Sequence, residues 1–520
     1  MIGRRTLLAS ALAAPAFAQS AASRTLRVIP QANLTSLDPF WTTAVVTRNH
    51  AYLVYDTLIA CDNQGTPHPQ MLAGWSVEDG GLRWVMTLRE GLRFHDGEPV
   101  RSIDCTTSII RFCVRDPFGQ SLGAALAEAR VIDDKRFELR LKHPFPYVAI
   151  ALGKTNGCFV MPERVARTDA YTQIRDTTGS GPFRFLRDEW NPGSQAVWAK
   201  FDGYVPRQEP VNGLAGGRVP KIDRVEWNVI SDSSTAAAAM ATGEQDYWEY
   251  PLHDLLPRLR RARDVVVDQR LTDGTYGIMR FNCLYPPFDN AGVRRAVAMA
   301  VDQKDWLTAV AGDDPAGYGR CEGIFACDTP LANEVGSEIL KTRNLERARQ
   351  ALAAAGYKGE KVVLLAPGDY PQINALSLVT ADLLKRLGMN VELVSTDWGT
   401  VVQRRASREP PDKGGWNVFH TTSGGADLIL PATNLYLRAN GANAWFGWPE
   451  DAEIERLRAA WLAAPDEAAG KRLGEQLNAR SMQVMAYIPL GFYWQPSVWR
   501  RNVTGVFRSP TTVFWNIGKA

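Results

Sequence analysis

The sequence predicts a mixed α/β protein of at least two lobes, strand-rich in its first half and more helical in its second. Length is the first reason. Of 520 residues, about 500 remain once an N-terminal leader is set aside, whereas a single hydrophobic core stops growing near roughly 250–300 residues. The second reason is a strand–helix–strand succession over residues 362–394, the pattern of a crossover in a parallel sheet. The third is apolar alternation at 26–29, 84–88 and 137–141, which marks half-buried strands.

Each element has a local cause. In Phe94-His95-Asp96-Gly97-Glu98-Pro99, Asp-Gly supplies turn geometry and proline ends it, so His95 reads as a turn residue. Gly179-Ser180-Gly181-Pro182 breaks the chain before a strand at 183–186. Pro286-Pro287-Phe288-Asp289-Asn290 is a rigid turn into a helix at 293–301, with Asp289 or Asn290 as its cap. Helices at 345–355 and 374–387 end at Gly356 and Gly388, and apolar strands follow at 362–365 and 391–394. Helices at 453–462 and 468–485 run into Ile488-Pro489-Leu490-Gly491. The last apolar, aromatic segment suits a strand returning to the first lobe, which gives two crossings and the geometry of a hinge.

The first residues read as an export leader. Arg4 and Arg5 precede a short apolar run, and Ala16-Phe17-Ala18 is a small-x-small cleavage pattern, so residues 1–18 are expected to be removed. Both an ordinary secretory signal and a twin-arginine signal fit. No later run approaches the roughly 20 apolar residues of a membrane-spanning helix. The first cysteine, Cys61, is far from the cleavage site and cannot carry a lipid anchor there. The expectation is a soluble periplasmic protein. Losing the leader takes the formal charge from +3 to about +1, which argues against nucleic acid as a partner. Seven cysteines are too few for a disulfide scaffold. Only Cys321 and Cys327 are spaced as local partners. In an oxidising compartment they either close a small loop worth about 2 kcal/mol or remain two thiols.

Catalytic motifs are scarce. Thr178-Gly179-Ser180-Gly181-Pro182 has its glycines too close for a nucleophile elbow, and no His-Glu-x-x-His or phosphate loop occurs. Histidines 50, 68, 95, 143, 253 and 420 lack metal-ligand spacing, so neither metal nor cofactor is expected. The chain reads as a non-enzyme. A secreted hydrolase with a scattered catalytic set is the rival from another class.

Several segments together carry a family resemblance. They are Ser36-Leu37-Asp38-Pro39, Tyr55-Asp56-Thr57-Leu58, Pro69-Gln70-Met71-Leu72-Ala73 and residues 88–97. Gly179-Ser180-Gly181-Pro182-Phe183, residues 240–246, Arg280-Phe281-Asn282, residues 286–290 and 348–357 continue the set in order. The sequence resembles the peptide- and nickel-type solute-binding proteins of ABC importers, which include the dipeptide and oligopeptide receptors. The resemblance implies a two-lobed, type II-like periplasmic-binding-protein fold with an extra subdomain in the first lobe. The expected divisions are a first lobe at 19–275 with that subdomain at about 66–178, a second lobe at 276–488, and a return over 489–520. It also implies capture of a peptide or peptide-like molecule in a closing cleft, delivery to an inner-membrane permease, and a monomer. Nickel chelates, sugars and opines are alternative ligands within that family.

A cleft ligand needs aromatic walls and a few fixed polar groups. The richest stretch supplies Trp398, Arg404, Trp416, His420, Ser423 and Asp427, with Asn33, Tyr276 and Tyr493 expected from elsewhere. Arg404 is either a carboxylate partner or, like Arg405, a solvated helix charge. Trp416 is either cleft wall or core. His420 is either a satisfied histidine at the cleft edge or a ligand contact. The family's peptide receptors carry an aspartate before a proline here, taking the peptide's amino group. This chain has Leu430 before Pro431, and Asp427 replaces that aspartate only with a shifted loop.

Overall fold

A computed structural model describes residues 24–520, so the leader expected at 1–18 lies outside the described residues. Two large sheets organise the rest. The first has seven strands in the order Val265–Asp268, Ser497–Arg500, Tyr247–Trp248, Thr25–Ile29, Arg224–Asn228, Gln195–Lys200, Phe183–Phe185. The second has six, in the order Tyr318–Gly319, Tyr487–Tyr493, Thr275–Phe281, Val418–Gly424, Lys361–Pro367, Asn390–Thr396. A four-stranded antiparallel sheet, Leu72–Glu78, Arg83–Leu88, Arg136–Leu141 and Leu126–Val131, forms a subdomain beside the first.

The chain passes between the large sheets twice, after Asp268 and after Tyr493. Both crossings are short, because Thr275 and Ser497 already pair in their new sheets. The crossover read at 362–394 is a parallel pair joined by the helix Pro371–Arg386, in register from Lys361↔Asn390 to Pro367↔Thr396. Gly388 has φ +84°, the left-handed conformation a helix end requires. At the helix Ala291–Ala298 the cap is Asn290, whose side chain accepts the Gly292 N–H at 2.8 Å; Asp289 does not cap it.

The turns at 94–99 and 179–182 are packing devices. Gly179 and Gly181 lie so close to the end of the helix Val45–Val54 that a Cβ on either would meet Val54 backbone atoms, at 2.0 Å from its oxygen for Gly179 and 2.7 Å from its carbonyl carbon for Gly181. His95 bonds both glycines, accepting from Gly179 N–H at Nδ1 (3.3 Å) and bonding Gly181 O through Nε2 (3.1 Å). Burial lowers its pKa to about 4, which keeps the ring neutral for this task. Asp38 and Asp56 are buried ion-pair partners of Arg111 (2.8 Å) and Arg218 (2.6 Å). Tyr204 donates a further bond to Asp56 at 2.9 Å, and Arg218 stacks over Trp515.

Cys321 and Cys327 are joined, with their Cα atoms 5.9 Å apart, while Cys61, Cys105, Cys113, Cys158 and Cys283 are free thiols. Among the described residues no helix is long and apolar enough to cross a membrane.

Two outcomes follow from this packing. Arg218→Met strands the fully buried Asp56 carboxylate and is expected to cost about 3–5 kcal/mol, seen as a lowered midpoint in calorimetric unfolding. A shift within experimental error would show that the pair is dispensable. Maleimide added to the native protein without reductant should leave Cys321 and Cys327 unmodified by peptide mapping, and modification of both would contradict the bond.

Candidate functional site

The two sheets face each other across a seam rich in polar contacts. Tyr370 Oη donates to Gln31 Oε1 at 2.7 Å, Trp445 Nε1 donates to Thr43 Oγ1 at 3.3 Å, and Arg438 Nη1 donates to Pro117 O and Gln120 Oε1. Tyr147 stacks on Trp461 at 5.3 Å. One contact across the seam is ionic. Arg48 Nη1, on the helix Val45–Val54, lies 3.2 Å from Asp427 Oδ2, on the turn Gly425–Leu428 that follows the strand Val418–Gly424.

Around that pair lies a small, narrow interlobe cavity. On one side it is lined by Thr43, Val45, Arg48, Asp116, Lys154 and Asn156, and on the other by Thr421, Thr422, Ser423, Asp427 and Tyr436. Strand alternation places the side chains of Thr421 and Ser423 on that wall. Thr421 and Ser423 face the first lobe, whereas His420 faces the helix Pro371–Arg386 behind the sheet. A second recess shares Arg48 and Ser423 and adds Tyr250 and Asp273. Asp273 accepts the Ala426 N–H, and burial raises its pKa.

Residues expected at the site divide into two groups. Ser423 and Asp427 line the cavity. Tyr276 sits beside it in the second sheet, its hydroxyl accepting the Cys327 N–H at 3.0 Å. Tyr493 is buried at the second crossing, against His253. The other five lie elsewhere. Trp416 is fully buried core, packed on Phe419 and Trp448. His420 is not at the cleft edge: it is enclosed between the hydroxyls of Ser377 (3.2 Å) and Thr380 (2.8 Å), and burial lowers its pKa to about 3. The Arg404 guanidinium donates to the carbonyls of Gly414 and Gly415, so it braces a turn and does not face the cavity. Asn33 accepts the Gly193 N–H at 2.9 Å and fixes a first-lobe turn.

Trp398 packs under Arg405, and Arg405 is the larger surprise. It is fully buried rather than solvated, enclosed by Trp398, Phe419, Trp445 and Phe446 at 5.1–5.8 Å. Burial lowers its pKa to about 10. The aromatic faces supply the compensation that a carboxylate would otherwise provide.

Sequence reasoning missed Arg48, Asp116, Lys154, Glu249 and Asp273. Arg48 sits in the arginine-bearing run Val45–Val54, with no motif to mark it. Glu249 is fully buried beside Ser497 at the end of the second crossing, accepting from Gln31 N–H (2.8 Å) and Asn49 Nδ2 (2.7 Å). Burial pushes its pKa up to about 7.

Two lobes joined by two crossings, with a polar cavity between them, are the architecture of a solute-binding protein. Residues 66–445 match the family described as bacterial extracellular solute-binding proteins, family 5 Middle. The chain is also 35% identical, over the whole of both sequences, to a "Probable peptide ABC transporter periplasmic-binding protein y4tO" of Sinorhizobium fredii. It is 24% identical to the glutathione-binding protein GsiB of Salmonella typhi, over 98% of this chain and 96% of that one. Among solved structures, AgaA from A.tumefacien R10 with agropinic acid superposes at a TM-score of 0.79, with 20% identity over 95% of this chain and 99% of that one. A dipeptide-binding protein from Pseudoalteromonas with Met-Leu superposes at 0.77, with 18% identity over 95% and 100%. The chain belongs to family 5 of the bacterial extracellular solute-binding proteins.

The raised Glu249 pKa has a sign that can be checked. Its folded value lies above the ordinary glutamate value of 4.5, so the folded state holds the extra proton between pH 4.5 and about 7. Stability from this group is therefore present below 4.5 and lost as pH rises through about 7, a change on the order of 3 kcal/mol. Glu249→Gln should flatten the decline in unfolding free energy across that window, and an unchanged slope would remove Glu249 as its source.

Proposed function

We propose that this protein is the periplasmic capture component of an ABC importer and that its solute is a peptide or a peptide-like zwitterion. The supporting observation is the Arg48–Asp427 pair, a cation of one lobe against a carboxylate of the other inside the shared cavity. Parting the lobes by the thickness of a ligand would strand both charges unless the ligand supplies their partners. A zwitterion does so, with its ammonium on Asp427 and its carboxylate on Arg48. A sugar would leave both charges facing hydroxyls. Two of the named relatives are a probable peptide transporter's binding protein and a glutathione-binding protein, and peptides and glutathione are both zwitterions.

Capture needs no bond to be made or broken. The ligand bridges the lobes, shifts the population toward the closed form, and that form docks on an inner-membrane permease. The leader directs export by the general secretory or the twin-arginine route, and the receptor works as a monomer. The lobe divisions fall at the two crossings, with the subdomain inserted in the first lobe.

Titration calorimetry with Met-Leu and its N-acetylated form tests this reading. Met-Leu is expected to bind one to one. Acetylation or Asp427→Asn should weaken it at least tenfold, about 1.4 kcal/mol. Equal binding of both peptides would overturn the assignment of Asp427.

A further inference from the structure

The cavity holds more positive hydrogen-bonding capacity than its own carboxylates use. Arg48 is 7% exposed. Its guanidinium has five N–H donors, yet its side chain makes one hydrogen bond, to Asp427, and its buried Nε has no partner. A buried donor left unmet costs free energy, so such a group is normally satisfied by a ligand or an ordered molecule.

Lys154 repeats the situation on the same wall. It closes the helix Val148–Gly153, and its ammonium lies 2.8 Å from Asp116 Oδ2, with the two side chains 10% and 5% exposed. Of three N–H donors only that one is hydrogen-bonded within the protein, and the ammonium also lies 6.0 Å from the Phe112 ring. Asp116 is already well served. Its Oδ1 accepts the N–H groups of Phe118 and Gly119, both at 2.9 Å, as the cap of the helix Pro117–Ala125. The positive helix end and the lysine together more than neutralise it. The local balance at Lys154 is therefore positive, while Asp427 offers a place for one ammonium.

From these placements we infer that the solute is acidic: a small peptide or amino-acid derivative with a second carboxylate, received by the free donors of Lys154 while Arg48 and Asp427 hold its zwitterionic end. This rests on the peptide-like reading and narrows it. Lys154 is thereby a specificity-determining residue, favouring a side-chain carboxylate over its neutral amide.

Paired dipeptides that differ only in that charge provide the test. Calorimetry on the full-length mature protein would compare Ala-Glu with Ala-Gln, and Glu-Ala with Gln-Ala. In at least one pair the acidic member is expected to bind ten times tighter or better. Lys154→Met should abolish that ratio, and Lys154→Arg should retain it. The wild-type ratios need no variant, so a poorly folded Lys154→Met does not spare the inference. Binding of acidic and neutral members alike overturns it and leaves the peptide reading standing. A preference that survives in Lys154→Met removes the assignment to this lysine. If none of the four dipeptides binds, the peptide reading falls, and this inference with it.

Discussion

Everything in this fold hangs on two short crossings between the large sheets. One leads from Asp268 into Thr275–Phe281, which pairs with a neighbour on both sides in the second sheet. The other leads from Tyr493 into Ser497–Arg500, flanked on both sides in the first. Neither strand can move without breaking a ladder, so relative motion of the lobes is confined to the few residues between them. Gln495 and Gln372 knit those residues to the carbonyl of Pro251. The cavity opens between the sheets these crossings join, which makes ligand binding and lobe motion one equilibrium.

Buried charge is the second organising feature. Asp38 with Arg111 and Asp56 with Arg218 are closed pairs inside the first lobe. Arg405 is compensated by four aromatic rings. Arg48 and Lys154 differ because the donors their single carboxylate partners leave over line the interlobe cavity. The same chemistry that stabilises the core when saturated becomes recognition when it is not.

Much of the architecture was legible because it rests on local rules. The parallel pair Lys361–Pro367 and Asn390–Thr396, the helix between them and the left-handed Gly388 follow from periodicity and backbone freedom. The segments that carry the family resemblance were equally readable, yet Asp38, Asp56, His95 and Gly179 serve packing rather than ligand. The candidate site was legible only in part. Ser423 and Asp427 flank a glycine pair that composition flagged, but Arg404, Trp416 and His420 in the same stretch face elsewhere.

By itself the sequence determined the α/β class, the crossover, the turn positions and the family, because each depends on residues close together or on many weak matches in order. Tertiary structure alone decided which polar groups share a cavity. Arg48 and Asp427 are 379 residues apart, and Lys154 meets Asp116 across 38. Nothing in local spacing records such meetings. Whether an arginine is caged, braced against a turn or left with free donors depends on what the rest of the chain brings to it. For Arg405, Arg404 and Arg48 those three environments are the difference between core, scaffold and site.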